Sequence, residues 1–419
     1  MSKLGWKKIG VSALAAGMLL SLAACGSNKK SSTSSSSKVL KVSVDPTYKS
    51  YVNSIKSKFE KKYNVKIKLS TKAMLDEDSA LGLDGPAGKG PDVTIAPYDR
   101  IGGLARQGQL AQAKLVSGRY NKLGQKTVVY NKKTYGAPIT IESLVMYYNK
   151  NLVKTAPTSF NQIEKLMQNS KYAYKNDKTK NVAFLAQWTN FYNSYGVFKG
   201  YGGYVFGNNN TDATDVGLNN SGSVKALEFI QKYYKNYWPK GTQDINSNEN
   251  FMIDSFTSGK TAIILDGPWE TTTLNKSNIK YGVAELPKLP NGKRYQAFGG
   301  GKAWVISNYS KNKGLAQKWL NYVTDNSNQT KLYKQASEIP ANLTARKAAV
   351  KAGNELTTAV DNQFKYDTPL INLPEMAEVW DPAQTIVTNA ANGMNAKTAA
   401  DKGVKTIQQN IKQKYPKDK

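Results

Sequence analysis

Residues 39–69 read VLKVSVDPTYKSYVNSIKSKFEKKYNVKIKL. Val39–Val44 alternates apolar and polar side chains, the period of a strand whose two faces see different surroundings. Val52, Ile55, Phe59 and Tyr63 then recur at three- and four-residue spacing, which predicts a helix over 51–63. Val65–Leu69 returns to alternation. The same β-then-α grammar continues outward. Asp92–Ala96 is a short apolar strand after a Gly-Pro break. Ser159-Phe-Asn-Gln162 resembles a capping box that opens a helix through Met167. Val224–Tyr234 is amphipathic, and Pro239 bars the helix from running on. Phe251–Phe256 reads as helix, Gly259 can cap it, and Thr261–Leu265 reads as strand. Leu315, Trp319, Tyr322 and Val323 mark a further helical face, and Pro382–Ile411 is helical in pattern. Alternation of this kind predicts an α/β fold with mainly parallel strands. Open sheets of that type hold ligands at the carboxyl ends of their strands, so two such lobes face a cleft.

Composition narrows the chemistry. The chain has 419 residues, 59 Lys+Arg, 30 Asp+Glu, no His and one Cys. Its length suits two lobes, since single cores stop growing at about 250–300 residues. Zero His excludes Ser-His-Asp and Cys-His catalysis and His-ligated metals. One Cys excludes an intramolecular disulfide and thiolate metal sites. Any catalysis would rest on carboxylates, Tyr or Lys. A net charge of +29 first suggests nucleic acid. However, the lysines are scattered singly or in pairs with no long basic run, so no nucleic-acid partner is expected.

The N-terminus supplies an address. Lys3, Lys7 and Lys8 precede a largely apolar Ile9–Ala24, too short to span a bilayer comfortably. It ends in Leu22-Ala23-Ala24-Cys25, which resembles a bacterial lipobox. The expectation is a lipoprotein signal peptide over 1–24 and a lipidated Cys25. Residues 25–38 then form a Ser-rich tether whose twelve residues GSNKKSSTSSSS reach roughly 20 Å. The body is expected outside the cytoplasm, held by lipid on the outer face of the cell membrane.

Five segments carry a resemblance. They are GPDVTIAPYDRIGGLARQGQL (90–110), YGAPITIESLVMYYNK (135–150), FTSGKTAIILDGPW (256–269), YGVAELP (281–287) and NLPEMAEVW (372–380). In this order, behind a lipobox, they are similar to the extracellular solute-binding proteins of ABC importers, of the maltose/maltodextrin-binding type. The resemblance implies a two-lobed, type II periplasmic-binding-protein-like fold that closes on its ligand. It places one lobe at 39–140 plus 302–350 and the other at 145–297 plus 355–419. It also implies an ABC permease as partner, a monomer, no enzymatic activity, and neither cofactor nor metal.

A sugar ring needs aromatic platforms for its C–H faces and planar charged or amide groups for its hydroxyl edge. The resemblance puts both kinds of group in this chain. Trp269, Trp380 and Tyr192 are the expected platforms, with Trp188 as a further stacking candidate. Asp99, Arg100 and Glu142 are the expected hydroxyl partners. Asn190, Asp45 and Tyr48 stand where the family places other contacts but uses different residues, and Ala96 replaces an aromatic. Asp76-Glu77-Asp78 roughly matches another contacting pair. These departures leave the sugar open between maltodextrins and galacto- or fructo-oligosaccharides. A glycoside hydrolase using Asp99 and Glu142 and an adhesive envelope protein are the competing classes.

Overall fold

The computed structural model describes residues 38–336 and 338–415. The expected signal peptide, Cys25 and nearly all of the tether lie outside the described residues.

The strand–helix–strand opening forms as its pattern predicts. Strand Lys38–Val44 is followed by helix Lys49–Tyr63 and strand Val65–Thr71. The helix buries Tyr51, Val52, Ile55 and Phe59, and the two strands pair in parallel from Lys38 against Val65 to Val44 against Thr71. Asn64 ends the helix in the left-handed conformation at φ 48°, which asparagine tolerates better than most residues.

Two larger sheets organise the chain. The first runs 65–71, 38–44, 93–97, 302–307 and 110–111, with Gly136–Pro138 also paired to Lys302–Ser307. Its core gathers Leu40, Val42, Ile95, Phe59, Trp304 and Trp319. The second runs 184–186, 263–266, 145–149 and 281–284. The body is thus the two-lobed type II α/β fold.

The expectation of mainly parallel sheets needs correction, because both sheets are mixed. Lys302–Ser307 runs antiparallel to all three of its neighbours, and Val145–Asn149 runs antiparallel to both of its own. Val145–Asn149 follows the segment 139–144 from the first sheet, and Lys302–Ser307 follows the short strand Phe298–Gly299. Neither is reached through a crossover helix, the connection that makes neighbouring strands parallel. The capping box at Ser159 also differs in detail: the Ser159 side chain makes no cap bond, and Gln162 Oε1 accepts instead from Thr158 N at 2.7 Å. The helical C-terminal stretch is two helices, Trp380–Ala391 and Ala396–Lys414, separated at Gly393 with φ 97°.

Three passes of chain connect the sheets side by side. The segment 139–144 leads from Gly136–Pro138 to Val145–Asn149, and 300–301 leads into Lys302–Ser307. The third, 338–342, leads to the helices that flank the second sheet. Ile139 N donates to Lys302 O (2.8 Å), Ile141 N to Ile339 O (2.9 Å), and Glu142 N to Gly300 O (3.0 Å). Gly301 has φ 141°, and a Cβ there would lie 2.3 Å from Thr140 O, so only glycine fits this close approach.

Candidate sugar-binding site

Trp269 is presented by a turn that the local sequence builds. Strand Ile263–Asp266 ends at the Gly267-Pro268 break. Asp266 Oδ1 accepts from Gly267 N at 2.7 Å, and the Tyr147 hydroxyl donates to Gly267 O at 2.9 Å. The indole lies over Gly267, where a Cβ would come within 2.1 Å of the ring. Trp269 is 45% exposed, whereas Trp188, Trp238, Trp304 and Trp319 are fully buried. Burial pushes the Asp266 carboxyl up to about 7.

From Trp269 a row of rings leads to Trp380. Tyr192 lies 6.2 Å from Trp269 and 5.9 Å from Phe298, and Phe298 lies 5.7 Å from Trp380. Tyr195 stacks on Phe298 at 3.8 Å and 4°, fixing that ring from behind. Asn190 caps helix Phe191–Tyr201 by accepting from Tyr192 N at 3.0 Å. Burial, then the Glu142, Asp367 and Asp99 carboxylates, holds the Tyr192 phenol well above its usual range.

Charged groups flank both ends of the row. At one end, Glu142 and Trp269 line a cavity of about 240 Å³ with Lys302 and Glu338. At the other, Asp99, Arg100 and Trp380 line a cavity of about 610 Å³ with Asp78. Asp99 and Arg100 lie in the first turn of helix Tyr98–Arg106, directly after strand Val93–Pro97. Burial raises Asp99, and Arg100 beside it partly offsets this. Asp78 is buried with neither carboxyl oxygen hydrogen-bonded to protein, and burial lifts it to about 8 against the pull of Arg100. A neutral carboxyl facing such a cavity can donate as well as accept.

Trp188 is corrected. It is 0% exposed, its Nε1 donates to the Tyr295 hydroxyl at 3.2 Å, and Tyr233, Trp238 and Phe184 crowd its ring at 5.0–5.7 Å. Both indole faces are committed to the core. Asp45 is likewise engaged elsewhere: it caps Pro46–Tyr48 and accepts from Thr47 N and Met74 N. Tyr48 is buried and reaches the site only through its hydroxyl, which donates to Glu338 Oε1 at 3.0 Å. The Asn190 side-chain oxygen serves the helix cap.

Sequence reasoning missed Lys302, Glu338 and Phe298. Only the run Gly299-Gly-Gly301 before Lys302 hinted at a special backbone there.

Residues 54–358 match the family model described as bacterial extracellular solute-binding protein, so the chain belongs to that family. Its relatives include the maltodextrin-binding protein MdxE of Bacillus subtilis (strain 168), 47% identical over 413 residues, covering 98% of this chain and 99% of the relative. Among solved structures, the maltose-binding protein MalE of Listeria monocytogenes in complex with maltose superposes with a TM-score of 0.88. It is 50% identical, over 91% of this chain and all of the other. MalX of Streptococcus pneumoniae in complex with maltopentaose gives 0.82 at 46% identity, over 88% of this chain and all of the other.

Proposed function

We propose that this protein is the substrate-binding lipoprotein of an ABC importer and captures maltodextrin-type oligosaccharides without altering them. The observation that carries the reading is the ring row Trp269–Tyr192–Phe298–Trp380 with carboxylate and cationic groups at each end. Trp269, Tyr192 and Trp380 stack on sugar faces, while Asp99, Arg100 and Glu142 bond the hydroxyl edge. Contacts from both lobes favour the closed state only with sugar present, which is a population shift by differential affinity. In this reading Cys25 carries the lipid anchor and the lobes divide near 140–145, 297–302 and 350–355. The closed monomer then delivers sugar to membrane permease subunits. The test is a melting-temperature panel on residues 38–419 with maltose, maltotriose, galacto- and fructo-oligosaccharides, since a ligand of the native state raises the midpoint by mass action. A shift with maltose or maltotriose and none with the galacto- or fructo-oligosaccharides is the expected result. No shift with any maltodextrin overturns the reading.

A further inference from the structure

The three passes that join the lobes each bring one charged residue to the same point. Glu142 comes from 139–144, Lys302 from the start of its strand, and Glu338 from 338–342. The Lys302 ammonium bonds Glu142 Oε1 and also reaches Glu338 at 3.2 and 3.3 Å, and Tyr48 donates to Glu338 from beneath. The side chains are only 19%, 21% and 23% exposed for Lys302, Glu142 and Glu338. Two carboxylates share one ammonium, so the group carries a net charge of −1. The remaining polar lining of the 240 Å³ cavity, Thr271, Thr272 and Asn275, is neutral, so among the described lining residues Lys302 is the one cation. Burial works against the charge on Lys302, yet Glu142, Tyr48 and Glu338 outweigh it and hold the ammonium well above the usual lysine range. Burial raises the Glu338 carboxyl, while the Lys302 ammonium and the Tyr48 hydroxyl, both donating to it, pull the other way and favour its ionised form.

We propose that this triad makes the Trp269 end of the cleft selective for uncharged sugar rings and rejects a saccharide whose entering ring bears a carboxylate or phosphate. The proposal rests on the sugar-binding reading above and adds a charge rule to it. The rule runs against the chain's overall positive charge, which draws anions towards the protein from a distance. At physiological salt that long-range pull decays over about 8 Å, whereas the triad acts at contact and under partial burial. The local term therefore decides which ring stays. Glu142 Oε2, which neither Lys302 nor Tyr48 engages, can accept a hydrogen bond from a sugar hydroxyl, whereas an ionised substituent has no hydrogen to donate.

The test is calorimetric titration at pH 8 and physiological salt with four ligands. Maltotriose and maltotriitol are the neutral probes. The acidic probes are maltotrionate, with its reducing end oxidised to carboxylate, and a maltotriose ending in glucuronate at the other terminus. At least one acidic probe is expected to bind about tenfold or more weakly than its neutral counterpart. Glu338→Gln, which makes the triad neutral, is expected to shrink that neutral-to-acid ratio by roughly threefold or more, while Glu338→Asp retains it. A merely structural role for Glu338 would lower both affinities and leave their ratio fixed. Neutral and acidic probes of equal affinity in the unsubstituted protein, or a ratio unmoved by Glu338→Gln, overturns the charge rule while the sugar reading stands. Failure of maltotriose itself to bind overturns both.

Discussion

Tyr192 and Trp269 lie 6.2 Å apart, ring to ring, at an angle of 57°. The two rings come from different excursions of the chain, one at a helix start and the other at a strand end, and they meet beside the crossings. Truncation tests the proposed role of the rings as sugar platforms. Trp269→Ala and Trp380→Ala should each weaken maltotriose binding by about 1.5–3 kcal/mol, the worth of one buried aromatic contact. That corresponds to roughly 10- to 150-fold in the dissociation constant, read by calorimetry. Unchanged affinity in the double variant would refute the platform assignment.

Trp188 supplies the contrast. Trp188→Ala should cost about 3–5 kcal/mol in urea unfolding, because it empties a fully packed site. Whatever native protein remains should bind maltotriose as before. A selective loss of affinity with unchanged stability would return Trp188 to the site.

Gly301→Ala tests the crossing itself. The new Cβ meets Thr140 O in a backbone region closed to alanine. A penalty of about 1–3 kcal/mol is expected. It should appear as a lower urea midpoint with the slope unchanged.

Lys302→Met leaves Glu142 and Glu338 facing each other without their shared cation. Allowing for partial exposure, the cost should be about 1–3 kcal/mol. Adding Glu338→Gln should recover part of the loss, a coupling that a double-mutant cycle measures. Additive losses would mean that the three groups do not act as a unit.

The chain has no histidine, so its pH response near neutrality falls to buried carboxyls. Burial raises Asp78 and Asp367 to about 8 and Asp266 to about 7. Each is raised above its unfolded value, so the native state holds protons that the unfolded chain releases. That contribution is fully present below about pH 4 and is lost as pH rises through 7 to 8. The melting temperature should therefore fall between pH 5 and 9 for these groups, and Asp367→Asn should flatten that slope. A slope identical in the variant would rule Asp367 out.

The fold was legible where one residue type had one meaning. The 52, 55, 59 spacing could only be a helix face, and Gly267-Pro268 before Trp269 marked a turn that exposes a ring. Trp188 was harder, because Trp188-Thr-Asn-Phe-Tyr192 alternates core and site within five residues and aromatic type does not separate them. The triad left no local trace. Lys302 lies 160 residues from Glu142 and 36 from Glu338, so only the folded crossings bring them together. Asp45 read as a candidate because it stands where the family places a contacting residue after the first strand, but the loop it caps uses its carboxylate.

Strand Lys302–Ser307 fills the gap between Val93–Pro97 and Leu110–Ala111. The first sheet thus lacks an inner member until some three hundred residues have been made. The first sheet cannot close before residues 302–307 are available, so its strands 93–97 and 110–111 have no partner between them until then. Closing that sheet is a long-range step, of the kind that leaves strand edges uncovered until distant chain arrives.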